Sequence, residues 1–144
     1  MAVAIRVNGE AGGGIPDGPA VVERAARAAA EDRDVEAGEL SLTLLDDAGM
    51  TALNREWLDR EGPTDVLAFA LHGEGEPPVG DIYLGVERAV AQAREEDEPV
   101  RRELARLAVH GVLHVLGWDH PSAEREQSEM WQHQERIVRA LGIE

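Results

Sequence analysis

The 144-residue chain contains no cysteine and no lysine. Without a thiolate, a structural zinc site closed by sulfur is impossible. The lack of thiols fits a cytoplasmic protein. All 14 basic residues are arginine, against 29 acidic residues, for a net charge of −15. Most nucleic-acid binders carry a basic surface, so this balance counts against broad, non-specific binding. A local arginine-lined cleft is still open: Arg101, Arg102 and Arg106 cluster in one stretch, and Arg55 and Arg60 flank another. The plain alternative for each is a solvated helix face. No apolar run approaches the ~20 residues needed to span a bilayer, so no membrane association is expected. No basic segment followed by an apolar stretch opens the chain, so no signal peptide is expected. Internal repeats and domain linkers are also missing.

The length suits one domain over residues 1–144 with a core of its own. Val3 to Val7 reads as a first strand, and Gly12 to Gly14 as a flexible link. Gly18-Pro19 opens an alanine-rich helix to about Ala30. Leu40 to Leu45 reads as a strand, followed by a helix capped by Asp46 or Asp47 and running to about Arg60, where Gly62-Pro63 stops it. Val66 to Leu71 reads as a buried strand, Ile82 to Leu84 as a short one, and Val86 to about Glu96 as a helix. Pro99 opens the next helix, which is apolar nearly all round and therefore buried. Ser122 caps a last helix with a stripe of Met130, Ile137, Val138 and Leu141, ended by Gly142. The pattern predicts an α+β (mixed α/β) fold, a three- to four-stranded mixed sheet packed by about five helices.

Three of the five histidines stand in the run His110-Gly-Val-Leu-His114-Val-Leu-Gly117-Trp-Asp119-His120. His110 and His114 are one helical turn apart, with Cβ atoms roughly 5–6 Å from each other, so two imidazoles can reach one ion. Gly117 permits a turn, after which His120 can supply a third nitrogen. Three protein ligands leave a tetrahedral position open, as catalytic zinc requires. This predicts a metal site on the central helix. H-x-x-x-H-x-x-G-x-x-H is also the metzincin spacing, but a glutamate base follows the first histidine there, and Gly111 stands at that position here. The competing reading is two packing histidines and one at a cap. His72 and His133 read as ordinary surface histidines.

The run from His110 to His120 resembles the signature H-G-x-L-H-L-x-G-[YW]-D-H of the YbeY family of rRNA-processing metalloendoribonucleases, with Val115 for the usual leucine. Further blocks are similar: Leu53-Asn54, then Pro63-Thr64-Asp65-Val66-Leu67-Ala68-Phe69, then Gly80-Asp81-Ile82, and late Met130 with Glu135. The resemblance implies a mixed sheet with helices around a cleft. It implies one zinc ion held by His110, His114 and His120. It implies RNA as substrate, with roles in small-subunit rRNA 3′-end maturation and ribosome quality control, and no DNA. It also suggests a small-subunit ribosomal protein and an Era-type GTPase as partners. The family's phosphate-contacting arginine falls on Leu58 in an ungapped alignment, so either Arg55 or Arg60 substitutes, with Arg60 the candidate, or the contact is absent from this chain.

On this reading zinc lowers the pKa of its bound water toward about 7 and polarises a phosphoryl oxygen. Either the resulting hydroxide attacks a phosphodiester or the metal assists attack by the 2′-OH. Single-stranded RNA is the accessible substrate. Asp119 is a candidate for orienting an imidazole or acting as base. Thr64 and Asp65 either hold the cleft wall or cap a turn, and Asp81 either approaches the cleft or starts a strand. Two other functions fit the residues: a metal-dependent peptidase or amidohydrolase with its base elsewhere, and a ribosome-assembly factor with a structural metal. The acidic surface suits docking on a basic ribosomal protein.

Overall fold

The structure, a computed structural model, describes residues 2–9, 15–118 and 129–144. The Gly12–Gly14 link and the Ser122 cap fall outside them. Four strands form one sheet: β1 (Ala2–Asn8), β2 (Ala37–Leu45), β3 (Val66–Ala70) and β4 (Val79–Gly85). Their order is β1-β2-β4-β3, with β1, β2 and β4 parallel and β3 antiparallel to β4. The described helices are α1 (Gly18–Asp32), α2 (Asp47–Leu58), α3 (Val86–Glu96), α4 (Val100–Val115) and α5 (Trp131–Leu141). This is the expected α+β class with a four-stranded mixed sheet.

Period-two alternation decides which sheet face is buried. Leu40, Leu42 and Leu44 of β2 and Ile82 and Leu84 of β4 are all within 2 % of full burial, and α1 and α4 pack over them. The intervening residues Ser41, Thr43, Asp81 and Tyr83 are only half-buried on the opposite face. That alternation runs well past Ile82–Leu84, so β4 is longer than its apolar core suggests. Asp46 caps α2, its carboxylate accepting from the Gly49 N–H at 2.8 Å. The helix stops at Leu58, short of Arg60, because Asp59 adopts a left-handed conformation (φ 52°).

α4 crosses the sheet at the centre of the core. Ten of its 16 residues are buried, and α1, α3, α5, β3 and β4 all pack on it. Two glycines set how closely it approaches β4. A Cβ on Gly111 would lie 2.6 Å from Ile82 Cγ2, and one on Gly80 would lie 2.5 Å from Val115 Cγ1. Helix and strand thus interlock, glycine against branched side chain, at two successive turns. α4 ends as expected at Gly117 (φ 94°), with Trp118 N–H donating to the Leu113 carbonyl at 2.9 Å and Gly117 N–H to that of His114 at 3.0 Å. Trp118 is then pinned between the Arg33 guanidinium, 4.6 Å from its ring, and the His133 ring at 4.7 Å. His133 also meets Asp32, so it is a packing residue rather than the plain surface histidine the sequence suggests.

Replacing Gly111 by alanine should therefore destabilise the protein by about 1–2 kcal/mol, the overpacking cost exceeding the roughly 1 kcal/mol gain in helix propensity. Urea denaturation should show the penalty disappearing in an Ile82→Ala background, where the clashing methyl is gone.

Candidate functional site

Residues Glu103, Arg106, His110 and His114 recur at three- and four-residue steps, so they form one polar line along α4. The line lies about 100° round the helix from Gly111, the residue on the sheet. The His110 and His114 rings are 4.7 Å apart, centre to centre, and edge-on. The third predicted ligand, His120, and the neighbouring Asp119 lie outside the described residues.

His110 is oriented from α5. Its Nδ1 lies 2.7 Å from Gln134 Oε1, and the Gln134 amide nitrogen donates to Glu135 Oε2 at 3.2 Å. The second contact fixes which end of the amide faces the imidazole: an oxygen, which can only accept. Nδ1 therefore carries the proton and the ring's lone pair is on Nε2. This is the tautomer that an Nε2-ligating histidine needs. The pair's chemistry, two imidazoles on a buried helix, fits a borderline cation such as zinc. Gln134 is 1 % exposed.

Glu135 continues the chain of contacts to Arg106, whose five N–H donors are all used. Nε and Nη2 grip Glu135 at 2.7 and 3.0 Å, Nη1 and Nη2 grip Glu98 at 2.7 and 3.0 Å, and Nη1 also reaches Glu103. Burial opposes the charge on Arg106, but hydrogen bonds from Glu98, Glu135 and Glu103 outweigh it and raise its pKa. Glu98 is lowered, first by its hydrogen bond to Arg106. Glu103, 5 % exposed, is raised because desolvation outweighs that hydrogen bond. Arg106 is thus no open phosphate site. Its neighbours Arg101 and Arg102 donate to the Glu144 and Ile143 carbonyls and fasten the C-terminus. Glu95, Glu96, Glu98 and Glu103 line a cleft of about 600 Å³ beside Arg106, a surface that repels a polyanion.

The other predicted residues are dispersed. Arg60 is exposed, and its side chain makes no hydrogen bond or ion pair among the described residues. Its loop is pinned by buried Asn54, whose side-chain nitrogen donates to the Gly62 carbonyl at 3.0 Å and whose own carbonyl accepts from Arg60 N–H at 3.2 Å. Arg55 instead pairs with Glu61 at 3.3 Å. Asp65 accepts from Gln92 at 3.1 Å, tying β3 to α3. Asp81 sits inside β4 on the sheet face away from α4, and His72 Nδ1 is 3.1 Å from the Val79 N–H, closing the β3–β4 loop. Sequence reasoning passed over Gln134 and Glu103, and it noted Asn54 only as part of a family block. The signal was present: Gln134 falls on the Met130–Ile137–Val138–Leu141 stripe and Glu103 on the buried face of α4, so each is a polar residue at a core position.

A family model described as Endoribonuclease YbeY matches residues 18–142. The chain belongs to the Endoribonuclease YbeY family. Relatives of that name include one from Azorhizobium caulinodans, 36 % identical with 100 % of this chain and 94 % of the relative covered. Another, from Bacillus licheniformis, is 37 % identical with 99 % and 98 % covered. The solution structure of TM1509 from Thermotoga maritima superposes with a TM-score of 0.66 at 27 % identity, covering 93 % of this chain and 86 % of that one. In this YbeY chain, as in its sequence motif, glycine follows the first histidine. The structure supplies a steric reason: Ile82 occupies the space a glutamate at position 111 would need.

Removing the charge at Arg106, as in Arg106→Met, leaves three carboxylates without their shared partner, at a cost of about 3–5 kcal/mol. Glu98 has a folded pKa below its unfolded value, so its contribution is present above about pH 4.3 and is lost as pH falls through the folded pKa. Glu103 has the opposite shift: protonation on acidification relieves its burial. Both signs make the gap between wild type and variant largest at neutral pH and narrower below about pH 4, measurable by urea unfolding across pH.

Proposed function

We propose that the chain is a zinc-dependent endoribonuclease acting on single-stranded ribosomal RNA, in small-subunit 3′-end maturation and ribosome quality control. The observation that carries this is the His110–His114 pair on α4, with His110 held by Gln134 as its Nδ1–H tautomer, in a chain of the endoribonuclease family. His110, His114 and His120 would hold one zinc ion per chain. When bound, zinc supplies Lewis-acid polarisation of a phosphoryl oxygen and lowers the pKa of a water in the open position.

The residues around the site have separate tasks. Gln134 and Glu135 keep the imidazole turned toward the ion, and the Arg106 carboxylate network holds α5 against α4. Of the two candidate substitutes at Leu58, Arg60, on a loop fixed by Asn54, is the one open to a substrate phosphate, whereas Arg55 is engaged by Glu61. Asp119 is assigned to orienting a ligand imidazole. No described helix is long and apolar enough to cross a membrane; the proposed place of action is the cytoplasm, beside the ribosome. The net charge of −15 suits contacts with a basic small-subunit ribosomal protein, and an Era-type GTPase is the second proposed partner.

Elemental analysis should find one equivalent of zinc in the wild type and none in His114→Ala, with cleavage of a small-subunit rRNA 3′-end fragment lost in parallel. Gln134→Leu should weaken zinc affinity about 10- to 100-fold, while Gln134→Glu, which still accepts the Nδ1 proton, should largely retain it. Arg60→Ala should raise KM without changing zinc content. A wild-type protein that binds zinc but leaves the RNA intact, with small subunits added, would sink the ribonuclease reading.

A further inference from the structure

The acidic cleft beside Arg106 repels RNA, yet the opposite side of the sheet carries a surface of different chemistry. Five aromatic residues (three Trp, one Tyr, one Phe) serve the whole chain, and three of them meet there. Trp57, in the last turn of α2, lies 6.2 Å from Phe69 of β3, ring centre to ring centre. Phe69 in turn lies 6.1 Å from Tyr83 of β4. Trp57 is 62 % exposed and Leu71 59 %. With Asp81 these residues line a groove of about 140 Å³. That is far below the roughly 300–1,000 Å³ of a drug-sized site and suits a single planar ring.

We propose that this groove is a base-binding subsite: it takes one unpaired nucleobase of the RNA, stacked on the Trp57–Phe69–Tyr83 platform and donating an amino group to Asp81. The proposal rests on the endoribonuclease reading for its ligand class. Asp81 argues for a base rather than a phosphate. Its carboxylate makes no hydrogen bond or ion pair among the described residues, so it repels an anion and still has acceptor capacity. Cytosine, adenine and guanine offer an amino donor to such a group, whereas uracil offers only its N3–H, flanked by two carbonyl oxygens that a carboxylate repels. Tyr83 adds a hydroxyl donor. Burial, and then the charge of Asp81, raise its pKa, so it stays protonated at neutral pH.

Stacking is also the binding mode open to a chain with a net charge of −15. Its strength comes from aromatic faces rather than from released counterions, so it tolerates an acidic protein. The edge strand β3 separates the platform from α4: Val66 meets the α4 side near Gly111, and Phe69 points to the other. An RNA strand bound at both places would pass around that edge.

The test uses the zinc-loaded full chain carrying Trp118→Phe and Trp131→Phe, so that Trp57 is the sole indole. Short 2′-O-methyl oligocytidine should quench its fluorescence, oligouridine less so, with a shallow salt dependence. Trp57→Ala, at an exposed position that tolerates truncation, should weaken oligocytidine binding about 5- to 100-fold. It should raise KM for RNA cleavage more than it lowers kcat. Asp81→Asn should narrow the preference for cytidine over uridine. If wild type cleaves RNA but Trp57 emission ignores both oligonucleotides and Trp57→Ala leaves KM unchanged, the subsite is refuted and the nuclease reading stands. Quenching without any cleavage keeps the subsite and removes the nuclease reading. Emission that responds only to protein concentration overturns the proposal in favour of an interface between copies of the chain.

Discussion

The close approach of α4 to β4 is the constraint on which the rest of the structure depends. Gly111 lies against Ile82 and Val115 against Gly80, without room for one more methyl at either glycine. Two contacts one helical turn apart fix both the height of the helix on the sheet and its rotation. Once that rotation is set, His110 and His114 project to one side, with Glu103 and Arg106 on the same line, and His110 and Arg106 meet α5. The imidazole pair is thus positioned by backbone packing and needs no loop to place it. Rigid supports of this kind hold a ligand set more tightly than surface segments do.

α5 contributes the second half of the site. Gln134 accepts from His110 Nδ1, Glu135 anchors the amide, and Arg106 binds Glu135, Glu98 and Glu103 together. A buried cluster with three carboxylates and one guanidinium is a poor source of stability, since desolvation offsets much of the attraction. Its value is directional: five donors in a planar fork admit one arrangement of α4, α5 and the α3–α4 turn. Glu103 shows the strain of the compromise, its carboxyl shifted upward by burial despite its contact with Arg106.

The charge distribution separates the surface into regions with different uses. Most arginines near the histidines are consumed internally: Arg106 by carboxylates, Arg101 and Arg102 by C-terminal carbonyls. Arg60 remains outward, and the aromatic residues gather on the far sheet face. An acidic chain that handles RNA in this way would rely on a few directed contacts and stacking rather than on a broad field.

Much of this was legible in the sequence, because it depends on local periodicity. The histidine spacing on a helix, the Gly117 turn, the buried character of α4, the strand alternation and the family blocks are all patterns of near neighbours. The role of Gln134 was only half legible: a polar residue on an apolar stripe signals a buried partner but not its name. The arginine triplet before the histidines illustrates the opposite case: its spacing left a cationic cleft and a solvated face both open, and the structure ties Arg106 to carboxylates and Arg101 and Arg102 to C-terminal carbonyls. Asp81 and Phe69 fell in family blocks, but nothing local showed that they meet Trp57 and Tyr83, which lie far from one another in the chain. Local pattern was enough for the type and order of the elements and the face most of them bury, because both follow from near neighbours. Which donors meet was a matter of packing, because those meetings depend on how closely glycine lets a helix approach a strand and on residues far apart in the chain.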